Sequence, residues 1–274
     1  MPRITEYTRD GLTFDVVDSG PEDGAPVVLL HGFPQRASSW GPVTERLNAA
    51  GLRTYAPDLR GYSPRARPAS RFAYTAPELT ADVVALIDEI GGPVHLVGHD
   101  WGALVAWDVA GSHADVVTTL TAVSVPHPTA FMKAMTRSTQ GLKSYYMALF
   151  QLPVLPELLL SRPGFARRVL GGAGMSRAML DDFQRGIIDD GALRGGLGFY
   201  RSIPAGGPSG RRISVPTTYV WSDGDVALGR KGAETCGDYV TGPYRFEVIE
   251  GASHWLPDER PDELADLVLA RVGA

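Results

Sequence analysis

A mostly parallel α/β domain, interrupted late by a helical insert, is the fold predicted by this chain of 274 residues. Three observations carry the prediction. Short apolar runs alternate with helix-length stretches over residues 1–126. The alternation stops over 127–212, where only helical signals appear, and resumes over 213–274. Strands that alternate with helices pair in parallel through right-handed crossovers.

The elements follow in order. Thr13 to Val17 mixes apolar and polar residues as a half-exposed strand does. Pro26 to Leu30 is a continuous apolar run ending at His31-Gly32, the pattern of a buried parallel strand. Trp40 to Ala50 reads as a helix stopped by Gly51. Arg53 to Pro57 is another short strand. Thr75 and Glu78 have capping-box spacing, and the helix they open places Leu79, Val83, Leu86, Ile87 and Ile90 on one face. Val94 to Val97 is a strand, Trp101 to Ala110 a helix, and Leu120 to Val125 a strand. After the insert, strands are expected at Thr217–Trp221 and Arg245–Ile249, and a closing helix at Pro261–Arg271. The cluster Arg60, Arg65, Arg67 and Arg71 is expected to be a solvated loop.

Composition narrows the function. Apolar residues make up 44% and charged residues 21%, which is ordinary globular usage. A formal charge of −5 argues against sequence-independent nucleic-acid binding, which needs a basic face. The single cysteine, Cys236, can form neither an internal disulfide nor a cysteine-ligated metal site. No window is apolar enough to span a membrane, and residues 1–20 lack a signal-peptide core, so a cytoplasmic location is expected. Arginine supplies nearly all of the basic charge, as in a GC-rich bacterial genome.

The chemistry is concentrated in Gly98-His99-Asp100-Trp101-Gly102, between a buried strand and a helix. Small residues at both ends allow a sharp reversal that lifts the central side chain above the sheet edge, as in a nucleophile elbow. The simpler reading is that Asp100 only caps the helix. A carboxylate, ionised near neutral pH, can instead displace a leaving group at saturated carbon, leaving an ester that water then hydrolyses. That second step needs a base and an orienting acid later in the chain. His254, after the last strand, is the base candidate; Asp225 is preferred to Asp223 as the acid because it sits deeper in its turn. The backbone N–H groups of Phe33 and Trp101 are the candidate oxyanion donors, Pro34 having no N–H.

Together His31-Gly32-Phe33-Pro34, Asp58-Leu59-Arg60-Gly61-Tyr62, the Asp100 motif, Asp225 and His254 resemble the epoxide hydrolase family of α/β hydrolases. The resemblance implies a mostly parallel central sheet flanked by helices, with a helical cap (127–212) inserted after the sixth strand between core segments 1–126 and 213–274. It implies two cap tyrosines that hold the epoxide oxygen and protonate the alkoxide. Tyr146-Met147-Ala148-Leu149-Phe150-Gln151-Leu152-Pro153 is similar to one family context and Gly198-Phe199-Tyr200-Arg201 to the other, which assigns Tyr146 and Tyr200; Tyr145 is the neighbour that competes with Tyr146. The implied substrate is a small epoxide, and the apolar stretch Leu152 to Leu160 of the insert points to a hydrophobic one; conversion to a vicinal diol is expected without metal or cofactor, by a monomer or homodimer. The alternative is a haloalkane or haloacid dehalogenase using the same aspartate. Phe33 and the absence of tryptophan from the insert leave it without a second halide donor, and Trp101 stands where haloacetate dehalogenases carry arginine.

Overall fold

The computed structural model describes residues 2–273. Among them, eight strands form one sheet: β1 (Glu6–Arg9), β2 (Leu12–Ser19), β3 (Pro26–Leu30), β4 (Arg53–Pro57), β5 (Val94–His99), β6 (Val117–Val123), β7 (Thr217–Ser222) and β8 (Tyr244–Ile249). Their spatial order is β1-β2-β4-β3-β5-β6-β7-β8. β1–β2 and β2–β4 are antiparallel, and every pairing from β4 to β8 is parallel.

Alternation along β3 explains why its run is apolar throughout. Val27 and Leu29 face one side, with Trp40 and with α1 (Gly41–Ala49); Val28 and Leu30 face the other, with α2 (Ala76–Ile90) and α3 (Trp101–Ser112). Between β6 and β7 run α4 (Pro128–Arg137), α5 (Gln140–Lys143), α6 (Tyr145–Phe150), α7 (Leu155–Leu160), α8 (Pro163–Gly172), α9 (Arg177–Phe183), a π-helix (Gln184–Asp189) and α10 (Leu193–Ser202). After β7 come α11 (Arg230–Glu234), α12 (Leu256–Glu259) and α13 (Pro261–Val272), and α13 packs beside α1. The helical insert therefore follows the sixth strand. No helix among the described residues is long and apolar enough to cross a membrane.

Three expectations need correction, and one strand was not expected. β1 has four residues, of which only Tyr7 is buried, too short a stretch to show a period. Thr75 occupies the N-cap of α2, but its side chain makes no capping bond; Glu78 pairs with Arg9 instead. The run at Leu120–Val125 ends as a strand at Val123, because Ser124 turns the chain at φ 66°. The arginine cluster is not a solvated loop as a whole. Arg60 is 4% exposed and grips Asp82 of α2 with two bonds of 2.7 Å, and Arg67 is half-buried against Asp190. Only Arg65 and Arg71 lie at the surface.

Candidate active site

The turn from β5 into α3 is built on close backbone approach. A Cβ on Gly102 would sit 2.1 Å from the Leu30 carbonyl oxygen, and one on Gly32 would sit 2.3 Å from the Asp100 Cβ. Glycine at both positions lets three chain segments converge. Asp100 itself is at φ 53° and ψ −119°, a strained conformation for a residue with a side chain. Although it holds the N-cap position of α3, its side chain makes no capping bond across the first turn. Its Oδ1 instead accepts the Phe33 backbone N–H at 2.8 Å.

The strand ends bring the distant residues to this point. His254 Nε2 lies 3.5 Å from Asp100 Oδ2, and its Nδ1 is 2.7 Å from Asp225 Oδ2. The other Asp225 oxygen accepts the Ala227 and Leu228 N–H groups at 2.7 and 2.9 Å, so the carboxylate is fixed at both ends. Asp223 is exposed and accepts the Gly251 N–H, away from His254.

The electrostatics follow from burial and charge. Burial alone would raise the Asp100 carboxyl, but the His254 hydrogen bond and charge, helped by the Trp101 backbone N–H, hold it below the usual carboxylate value. Burial alone would lower His254; the Asp225 charge, followed by the bond to Asp100, overcomes it and raises the imidazole to about 10. His254 thus lies between two carboxylates that favour its imidazolium form. Burial, and then the Asp100 charge, pushes Tyr146 and Tyr200 above the ordinary phenol value, so both stay protonated.

Asp100, His254, Tyr146 and Tyr200 line one cavity of about 520 Å³, whose remaining wall is mainly apolar. The Tyr146 and Tyr200 rings lie 6.1 Å apart and 77° from coplanar. Tyr145 is 70% exposed and stands at the cavity's outer edge. The Trp101 ring packs edge-on against Tyr200, with ring centroids 5.0 Å apart. Gln35 and Arg36 lie outside the cavity, bonded to Asp258 and to Asp58 and Asp190.

The chain now has relatives to set beside this geometry. Residues 27–267 match the model of the alpha/beta hydrolase family. The chain is 34% identical to epoxide hydrolase A of Mycobacterium tuberculosis, over 95% of this chain and 94% of that protein. The chain belongs to the epoxide hydrolase family of α/β hydrolases. It is also 34% identical to epoxide hydrolase 3 of Xenopus tropicalis, over 94% of this chain and 74% of that protein. The crystal structure of epoxide hydrolase A from Mycobacterium thermoresistibile superposes with a TM-score of 0.85 at 28% identity, covering 98% and 97% of the two chains.

This member of the family carries supports that sequence reasoning did not single out. His99 Nε2 and Ser124 Oγ both donate to the His254 carbonyl oxygen, at 2.9 and 3.1 Å, and Ser222 Oγ donates to the Ser253 carbonyl at 2.6 Å. Strand ends β5, β6 and β7 thereby clamp the loop that holds the imidazole. The Leu59 N–H donates to His31 Nε2 at 3.0 Å, and Asp58 accepts from the Ala37 N–H at 2.9 Å, bracing the Phe33 loop. In the insert, Gln151 donates to the Tyr200 carbonyl at 2.6 Å and Arg201 to the Phe150 carbonyl at 3.0 Å. All of these residues but Ser124 lie within or beside the motif segments, and that placement was the available signal.

Proposed function

We propose that the protein converts a hydrophobic epoxide and water to a vicinal diol through a covalent ester on Asp100, with residues 127–212 as the cap over the site. The observation that carries this reading is the convergence of Asp100, His254, Tyr146 and Tyr200 on one apolar cavity.

The depressed Asp100 carboxylate attacks an epoxide carbon while Tyr146 or Tyr200 gives its proton to the opening oxygen. A phenol held protonated donates to an oxygen that becomes basic only as the ring opens. Forming the ester removes the Asp100 charge, one of the two charges that keep His254 protonated. The imidazolium then returns a proton to the tyrosinate and is left neutral. Oriented by Asp225, it takes a proton from water, and the hydroxide adds to the ester carbonyl. The N–H groups of Phe33 and Trp101 stabilise the oxyanion. Collapse of the adduct breaks the ester bond to the product oxygen; that alkoxide takes the proton left on the Asp100 carboxyl, which releases the diol and leaves Asp100 ionised beside the His254 imidazolium. Halide displacement is the weaker reading, because it leaves Tyr146 and Tyr200, which line the cavity, without a role.

The test is a single turnover of excess enzyme in heavy-oxygen water. The label is expected in the Asp100 carboxylate and not in the first diol. His254→Gln is expected to accumulate an adduct one epoxide heavier on the Asp100 peptide, without turnover. Label appearing directly in the first-turnover diol would mean that water attacks the epoxide itself. Bromide release from 1-bromobutane with no diol from styrene oxide would favour the dehalogenase.

A further inference from the structure

The helices around the cavity mouth combine two features that no step of the reaction uses. One is exposed apolar surface. Tyr145 and Val226 are more than half exposed, and Phe165 and Val169 more than a third, yet all four line the cavity, so they ring its opening. Leu142, beside Tyr145, and Leu158, on the outer side of α7, extend this surface and are also more than half exposed. The other feature is charge. In a chain of net charge −5, residues 128–180 hold seven cations and one acid, and of these cations Arg167 pairs with Asp181, just beyond that stretch. The acid within it, Glu157, is gripped by Arg201 through two bonds of 2.7 and 2.9 Å. Among the described residues, Arg162 at the α7–α8 junction and Arg168 beside Val169 are exposed and have no carboxylate within 4.0 Å. Lys143 lines the cavity itself.

We propose that this face seats on an anionic lipid bilayer, with the cavity mouth turned toward the membrane. An apolar patch flanked by Lys143, Arg162 and Arg168 matches a surface whose interior is hydrocarbon and whose headgroups are negative. A second copy of the chain is a poor occupant, because an isologous contact would oppose the two sets of cations. An acidic protein would satisfy the charge but would cover the cavity opening. A bilayer satisfies the charge and concentrates apolar molecules at that opening. The contact is interfacial, since no described helix can span a membrane. That the cargo is an epoxide rests on the function proposed above; the docking does not, and it is scored without turnover.

The experiment is co-sedimentation with sucrose-loaded vesicles. Wild-type protein is expected to pellet with phosphatidylglycerol-containing vesicles at low salt, to be released by salt, and to stay in solution with pure phosphatidylcholine. Each basic residue near such a surface contributes about fivefold in partitioning, so Arg162→Glu with Arg168→Glu should lower binding at least about twentyfold. Leu142→Gln with Leu158→Gln should weaken it separately. Both pairs lie outside the cavity lining, so turnover of a dissolved epoxide should be unchanged. Equal binding to the two vesicle types, or indifference to the charge reversals, overturns the proposal. A lipid-independent dimer lost in the leucine variants would assign the face to self-association. Capture by soluble polyglutamate, with none by anionic vesicles, would assign it to an acidic protein.

Discussion

A strained Asp100 backbone costs on the order of 1–3 kcal/mol, and here it holds the carboxylate out of the helix cap and against the Phe33 N–H. Sequence reasoning left two readings of this residue, helix cap and nucleophile. The absent capping bond shows that the side chain does not cap the helix, which the spacing of glycines alone could not show. The same holds for Asp225 over Asp223 and for Tyr146 over Tyr145: each pair differs in which side chain points inward, a property of local backbone rather than of residue type. The tyrosines give the residue-scale prediction. Tyr146→Phe and Tyr200→Phe should each slow alkylation, since losing one donor aimed at developing charge costs on the order of 10²-fold, softened where the second phenol remains. The double variant should be nearly inactive in rapid-quench measurements of the ester. Full alkylation by the double variant would remove the phenols from the mechanism and favour a leaving group that needs no proton.

Elements were most legible where both sheet faces are buried. β3 and β5 are near-continuous apolar runs because helices cover both sides, and their ends fall at the glycines of the two site motifs. Elements held by partners far along the chain were not legible. Arg60 is buried only because Asp82 meets it, and Arg67 is half-buried against Asp190; neither partner is signalled near the arginine. The insert shows the same dependence. α6 carries Tyr146 and α10 carries Tyr200, and reciprocal bonds from Gln151 and Arg201 join the two helices. Gln151→Ala removes one of two donors to the Tyr200 carbonyl, the Ile203 N–H at 3.3 Å remaining, a loss of about 1 kcal/mol. We expect slower single-turnover alkylation with unchanged ester hydrolysis, because in the proposed mechanism the tyrosines act only in the first step. Arg201→Lys should fail to restore function, since lysine cannot hold Glu157 through two parallel bonds. An equal fall in both steps for Gln151→Ala would point to general loosening and remove its role as a positioning residue.

For the whole molecule, buried histidines of opposite behaviour set a pH window for stability. Burial lowers His31 and His99 to about 4, despite nearby carboxylates. His31 Nε2 accepts the Leu59 N–H, which requires the neutral ring. Below the ordinary histidine value of about 6.5 the unfolded chain binds protons that these two rings refuse, so stability falls as pH drops from about 6.5 toward 4. His254 acts in the opposite sense. With its folded value near 10, the native state keeps a proton that the unfolded chain releases above about 6.5. Its contribution is complete below 6.5 and is lost as pH rises toward 10. The stability of this fold should therefore peak near pH 6–7 and decline on both sides. Urea unfolding at pH 5, 7 and 9 measures this directly. Asp100→Asn removes one of the charges that raise His254 and should flatten the alkaline limb. A wild-type stability that rises steadily from pH 5 to 9 would mean that His254 is neutral in the resting protein, and with it would go the step in which ester formation releases the base.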